Sequence, residues 1–407
     1  MHTHQHPSLI GAVKGQPRQV WITAFAAVIA FMGIGLVDPI LLSIAEGLHA
    51  TPSQVTLLFA SYLGVQVVAM LLTGACAARF GAKRTVLTGL VLIVIATAAC
   101  AMANSIGVLI GLRGLWGLGN AFFIATALSV IVGAATGGQQ GAILLYEAAL
   151  GLGLSVGPLL GALLGSVSWR GPFAGTAVLM AIALVLCAAF LAPDSRAARP
   201  RVALLDPLRA LGHGGLLRTA AGSALYTAAF FTVLAWTPFV LGFSAVEIGL
   251  VFFGWGLCVA VAGVALAPKL AARLGERHAT VVAVLGYAVL MVLLAVPSKP
   301  LVVVGVILSG LVSGLLNTLF TGTAMSISPA PRPVASAGYN FCRWLGGALA
   351  ATLVGHVAGW LGSPHAPFLV AAVCCLVAGA LLAIRGRAGQ PDPHTVPAEA
   401  VLVGEEL

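Results

Sequence analysis

Charge is what this chain most lacks. Of 407 residues only 8% are charged, against roughly a quarter in soluble domains, so there is too little polar side chain to cover a water-facing exterior. That scarcity excludes a soluble globular protein. Cysteine is sparse as well: all seven (Cys76, Cys100, Cys187, Cys258, Cys342, Cys374 and Cys375) fall in or at the ends of apolar stretches. No paired spacing occurs in a polar loop, which argues against a disulfide framework and against a cysteine zinc site. Acids number 11 against 20 Lys and Arg, a net charge of +9. No nucleic-acid motif accompanies the basic excess, so no nucleic-acid partner is expected.

What is present is hydrophobic sequence, 60% of the chain. A helix needs about 20 apolar residues to cross ~30 Å of hydrocarbon. Runs of that kind recur twelve times, near residues 20–45, 55–78, 85–104, 107–133, 142–167, 172–192, 219–242, 248–268, 279–297, 300–325, 336–361 and 365–385. They are taken as helices 1 to 12 of an all-α membrane protein. The first run is too long for a removable signal peptide and is read as a retained helix. The histidine-rich start, MHTHQH, is expected to be a tail without a role.

The basic residues mark one side of the bilayer. Residues 1–19, 79–84, 193–218, 269–277, 326–335 and the tail with Arg385 and Arg387 hold sixteen of the twenty Lys and Arg, whereas the opposite loops hold two, Arg170 and Lys299. The positive-inside rule then puts both termini on the cytoplasmic side of a plasma (inner) membrane, which an even number of crossings permits.

The longest polar break, 193–218, divides the helices six and six, and three segments repeat across it. AARFGAKR at 77–84 returns as AARLGERH at 271–278; TPSQVTLLFASY at 51–62 matches SAVEIGLVFFGW at 244–255 in pattern; GLGNAFF at 117–123 echoes GLLNTLF at 314–320. Matches in order at near-constant offset point to an internal duplication. The expected organisation is an N-terminal half at 1–192, a linker at 193–218, a C-terminal half at 219–385 and a tail at 386–407, with a site between the halves.

Helix 5 carries Gly153, Gly157, Gly161 and Gly165 at four-residue spacing, with Pro158 among them. Glycines so spaced line one helix face and let another backbone approach closely. A proline removes a helical hydrogen bond, here the one to the carbonyl of Leu154, and bends the helix. The same stretch spells G-x-S-x-G around Ser155, but a serine-hydrolase elbow needs a strand-to-helix turn and partner groups that are missing here. The closely spaced glycines at 117–119 and 151–157 follow no strand, which removes the dinucleotide-binding reading.

Several of these motifs resemble those of the major facilitator superfamily, within it the drug:proton antiporters of twelve helices. GACAARFGAKR at 74–84 is similar to that family's loop signature, through Gly74, Arg79, Gly81, Lys83 and Arg84. RGLWGLG at 113–119 resembles its Arg-containing segment in helix 4, and GLSVGPLLG at 153–161 its antiporter signature in helix 5, through Gly153, Gly157, Pro158 and Gly161. The resemblance implies two pseudo-symmetric six-helix bundles around a cavity lined mainly by helices 1, 4, 7 and 10, and a helix 5 that seals the contact between halves. One departure stands out: the loop signature's acid is replaced by Ala78, and by Ala272 in the second half. Arg79 then needs another acceptor, such as helix-end carbonyls.

Four Asp, Glu, Lys or Arg residues lie well inside the runs: Asp38, Arg113, Glu147 and Arg343. Each costs ~2.5–3.5 kcal/mol at mid-membrane on insertion scales, so a functional reason is expected. Asp38 and Arg113 lie at similar depth and read as a proton-coupling pair, assisted by Glu147; Glu147 and Arg343 lie at similar depth in opposite halves and read as a cytoplasmic gate. Gln66, Trp116, Asn120, Tyr226, Trp236, Asn317, Tyr339 and Asn340 are candidate substrate contacts, with Phe230, Trp255 and Trp344 as further aromatics in the helices. No metal, cofactor or enzymatic constellation is called for. The expected activity is proton-coupled efflux of small lipophilic solutes by a monomer, ahead of uptake or lipid translocation on the same fold, with a membrane-embedded enzyme a distant third.

Overall fold

The computed structural model describes residues 16–134, 139–192, 205–328, 330 and 332–383. The histidine-rich start, residues 193–204 of the linker and the tail from 384 lie outside the described residues. Among those described, every regular element is a helix, and twelve helices are long and apolar enough to cross a membrane. Helix 1 is Arg18–Gly35, helix 2 Pro52–Phe80, helix 3 Ala82–Ala101, helix 4 Ile106–Ala134, helix 5 Gln139–Gly165 and helix 6 Gly171–Phe190. After a short linker helix, Asp206–Ala210, come helix 7 at Gly214–Leu241, helix 8 beginning at Ala245, helix 9 at Glu276–Leu294, helix 10 at Lys299–Ile327, helix 11 at Arg332–Trp360 and helix 12 at Ala366–Ala383.

Local chemistry repeats across the two sets of six. Helix 2 opens on a capping box of Thr51 and Gln54, and helix 8 on one of Ser244 and Glu247. In each, the hydroxyl and the side chain three residues on satisfy amides that a helix start leaves unpaired. Helices 2 and 8 both run into a glycine in a positive-φ turn, Gly81 at 101° and Gly275 at 75°, a region where a Cβ is strained. Just beyond, Lys83 Nζ donates to Leu191 O at 2.6 Å, and Arg277 donates through Nε to Leu382 O at 3.0 Å and through Nη2 to Ala383 O at 2.9 Å. A cation on the last carbonyls of helices 6 and 12 suits the negative end of each helix dipole. The helix-end acceptors expected for Arg79 are thus taken by Lys83; Arg79 is exposed, with its guanidinium carbon 5.5 Å from the Phe80 ring centroid. Arg84 is exposed, and the surroundings of Gly74 and Ala78 lie outside what is described.

Two helices depart from regularity. Helix 1 stops at Gly35, passes through a 3₁₀ turn at Asp38–Ile40 containing Pro39, and resumes as Leu41–Gly47. Helix 8 runs Ala245–Val261, widens into a π turn at Ala262–Leu266 ahead of Pro268, and ends as Ala267–Leu274. Thr318 of helix 10 donates to Gly263 O at 3.2 Å in that π turn, supplying a partner at a place where the regular ladder is interrupted.

Within the first set, helices 1 and 5, 2 and 4, and 3 with both 4 and 6 pack against one another; in the second set, helices 7 and 11, 8 and 10, and 9 with both 10 and 12 do the same. Between sets, helix 5 packs on helix 8 and helix 2 on helix 11. The outer segment of helix 1, from Asp38 to Gly47, meets helices 7 and 8, so the sets also touch on the face opposite the basic loops.

Candidate functional site: a central cavity and two buried cations

Helix 5 organises the centre. A Cβ on Gly153 would stand 2.5 Å from Val28 O and one on Gly157 2.6 Å from Met32 O, while Gly161 abuts the Leu36 carbonyl and Gly165 the Ile40 side chain. All four neighbours belong to helix 1 and its continuation. The expectation that this stripe seals the two halves is therefore corrected: it packs within the first set. The contact between halves uses the other side of the helix, where Gly151 meets Ala260, Ser155 meets Gly256, and Pro158 and Ala162 meet Gly249. Two residues along an α-helix is about 200° of rotation, which is why Gly153 and Ser155 face different partners. Pro158 also packs against Gly35, its Cδ 3.1 Å from where a Cβ there would stand, at the point where helix 1 breaks.

The cation of helix 4, Arg113, is fully buried. Its guanidinium carbon lies 4.6 Å from the centroid of the Tyr62 ring and 4.4 Å from that of Trp116, and Nη1 donates to Gly33 O at 3.5 Å, two residues before helix 1 ends. Aromatic faces stabilise a desolvated cation by roughly 0.5–2 kcal/mol each. Tyr62 in turn accepts from the Asn120 amide. Gln66, one turn along helix 2 from Tyr62, is fully buried with neither amide atom bonded among the described residues. The side chains of Asp38 and Glu147 lie outside what is described, so the expected Asp38–Arg113 and Glu147–Arg343 pairs remain proposals.

The second set holds a different cluster. Arg343 Nη2 donates to Asn317 Oδ1 at 2.9 Å, and Tyr226 donates from its hydroxyl to the same oxygen at 3.2 Å and to Ser313 O at 3.2 Å. Ser223 and Tyr339 share a hydrogen bond of 3.1 Å. Unlike Arg113, Arg343 is only half-buried, and it lines a narrow cavity between the sets. Helix 1 lines this cavity with Phe31 and Ile34, helix 5 with Leu150 and Leu154, helix 7 with Thr227, Phe230 and Phe231, helix 10 with Asn317, and helix 11 with Arg343 and Trp344.

Helices 1, 7 and 10 are therefore found at the cavity as expected, helix 4 is not, and helices 5 and 11 are. Among the candidate contacts, Asn317 lines it. Tyr226 stands one step behind, on Asn317. Trp116 is fully buried against Arg113. Trp236 donates from Nε1 to Pro364 O at 2.8 Å, away from the cavity, and Asn340 Nδ2 donates to Ser336 on its own helix at 3.3 Å. Sequence reasoning missed Phe31, Thr227 and Phe231. The usable signal for the last two was spacing: Thr227 lies three residues before Phe230 and four before Phe231, and residues so spaced share a helix face.

Two six-helix sets with a cavity at their junction are the architecture of a membrane transporter. The model of the Major Facilitator Superfamily matches residues 23–351 and 240–403, and the chain belongs to that superfamily. It is 45% identical over 374 residues to the multidrug efflux protein YfmO of Bacillus subtilis, spanning 91% of this chain and 94% of that one. It is 31% identical to a chloramphenicol resistance protein of Streptomyces lividans over 86% of this chain and 91% of the relative. In fold it is similar to the human organic anion transporter MFSD10 (TETRAN), with TM-score 0.72 at 18% identity over 90% of this chain and 100% of the other. It is also similar to a D-xylose-proton symporter, with TM-score 0.73 at 16% identity over 89% and 96%.

Proposed function

We propose that this transporter exports small lipophilic solutes from the cytoplasm in exchange for protons, by alternating access around the central cavity. The observation that carries the reading is the cavity itself: a compartment between the two sets, walled by Phe31, Phe230, Phe231 and Trp344, with few polar groups. Such a wall suits apolar solutes better than sugar phosphates or nucleotides, which call for clusters of Lys and Arg. The 45% identical relative bears the name of a multidrug efflux protein, in keeping with export.

In this reading the protein works as a monomer in the plasma membrane with its basic loops and both termini in the cytoplasm. Asp38 carries the proton and Arg113 modulates it. Pro39 and the 3₁₀ turn give Asp38 a segment of helix 1 that shifts without disturbing a long hydrogen-bond ladder. One proton falling through 100 mV supplies ~2.3 kcal/mol, enough for roughly a fifty-fold gradient of a neutral solute. Glu147 and Arg343 bridge the halves to close the cytoplasmic side and separate when it opens. Everted membrane vesicles test the direction: acidifying their interior should drive a lipophilic dye inward, and dye moving out with the protons instead would replace export with uptake.

A further inference from the structure

The cavity is lopsided in polarity. Its described walls from helices 1 and 5 are apolar, whereas the polar side chains described there, Thr227, Asn317 and Arg343 with the Trp344 indole, all come from the second set. Asn317 Oδ1 already accepts from two donors, Arg343 Nη2 and Tyr226, so the amide fixes the guanidinium and has little left to offer a solute. Arg343 Nε is buried without a hydrogen-bond partner among the described residues, and so is Thr227 Oγ1. The residue carrying that hydroxyl is 3% exposed. Arg343 makes no ion pair with a described residue. Guanidinium groups are donors only. Among the described residues this pocket offers the guanidinium no anionic acceptor, and a partly desolvated cation is strongly stabilised by an anion.

We infer that the site selects lipophilic solutes bearing an acceptor or anionic group, such as aryl carboxylates, and discriminates against lipophilic cations. The carboxylate takes donors of Arg343 and the Thr227 hydroxyl, while the aromatic part lies among Phe31, Phe231 and Trp344. This rests on the central cavity being the solute site. Spacings of three and seven residues put position 147 on the same face of helix 5 as Leu150 and Leu154. A Glu147–Arg343 bridge and a bound carboxylate therefore compete for one guanidinium, which couples arrival of the solute to opening of the gate.

Three near-isosteric probes separate the possibilities: 2-naphthylacetate, 2-(2-naphthyl)ethylammonium and the neutral 2-(2-naphthyl)ethanol, titrated calorimetrically into the purified full-length protein near neutral pH. The acetate should bind about ten-fold or more tighter than the ammonium, with the alcohol between them. Arg343→Gln should bring the acetate down to the alcohol's affinity and so abolish the preference between them. Thr227→Val, which keeps shape and removes the hydroxyl, should weaken the acetate about three-fold. Equal binding of acetate and ammonium by the unmodified protein overturns the inference, as does a preference that survives Arg343→Gln. Binding of the alcohol without any anion preference defeats the inference alone. Failure of all three to bind defeats it together with the proposed solute site.

Discussion

The two six-helix sets share a framework and differ in where they keep a cation. Helices 1–6 bury Arg113 completely between the Tyr62 and Trp116 rings, away from the cavity. Helices 7–12 leave Arg343 half-buried, tethered to Asn317 and lining the cavity. At the offset that aligns GLGNAFF with GLLNTLF, the counterpart of Arg113 is Gly310. The bare backbone there lets the Trp255 carbonyl of helix 8 approach closely. Asn120 and Asn317, by contrast, correspond, and each partners a tyrosine, Tyr62 and Tyr226. Capping boxes, turn glycines and dipole-capping cations were kept in both sets while the charged chemistry diverged. We propose a division of labour: proton coupling in the first set, polar recognition of the solute in the second.

The largest effect is expected at helix 5, which touches both sets. Gly157→Leu forces a side chain where a bare Cβ would already stand 2.6 Å from Met32 O. Overpacking of this sort costs ~1–3 kcal/mol where it can be absorbed. We expect export from everted vesicles to fall about ten-fold or more at matched membrane abundance. Gly111→Leu, at a helix 4 position with open space around it, should transport as the unmodified protein does.

A smaller effect is expected from Arg113→Lys, which keeps the charge and removes the planar group that stacks between two rings. Losing part of two cation–π contacts, worth about 1–2 kcal/mol together, should reduce gradient-driven export several-fold. Binding of the neutral 2-(2-naphthyl)ethanol, read by calorimetry, should not change. Matching changes in both would show that the first set also recognises solute.

The smallest effect tests the shared framework. Lys83→Gln and Arg277→Gln each remove a cation from a helix C-terminus. Each should lower the thermal midpoint by about a degree or less, consistent with ~0.3–1 kcal/mol in a chain of this length. The two shifts should be alike; a large loss at one position only would show that the two loops do not serve equivalent roles.

The framework was largely legible in the sequence. Twelve apolar runs became twelve helices, and the repeated segments at 51–62 and 244–255 became matching capping boxes. Pro39 signalled the interruption of helix 1; Pro268, which follows the π turn of helix 8, gave the same kind of signal. Which neighbour a face meets was not legible. The spacing of Gly153, Gly157 and Gly161 shows that they share a face, but nothing in it tells helix 1 from helix 8. The Tyr226–Asn317–Arg343 cluster joins helices 7, 10 and 11 across 117 positions of sequence, from 226 to 343. No local pattern encodes such a meeting, because in a membrane both packed and lipid-facing surfaces are apolar.

The division of labour is tested most directly by measuring uphill export and downhill solute exchange side by side in proteoliposomes for Asp38→Asn and Arg343→Gln. The account predicts that Asp38→Asn keeps exchange but loses pH-dependent uphill export. Arg343→Gln should lose affinity for 2-naphthylacetate in both assays, down to that of the neutral alcohol. An Asp38→Asn protein that pumps uphill with unaltered pH dependence would contradict it and move proton coupling to Glu147.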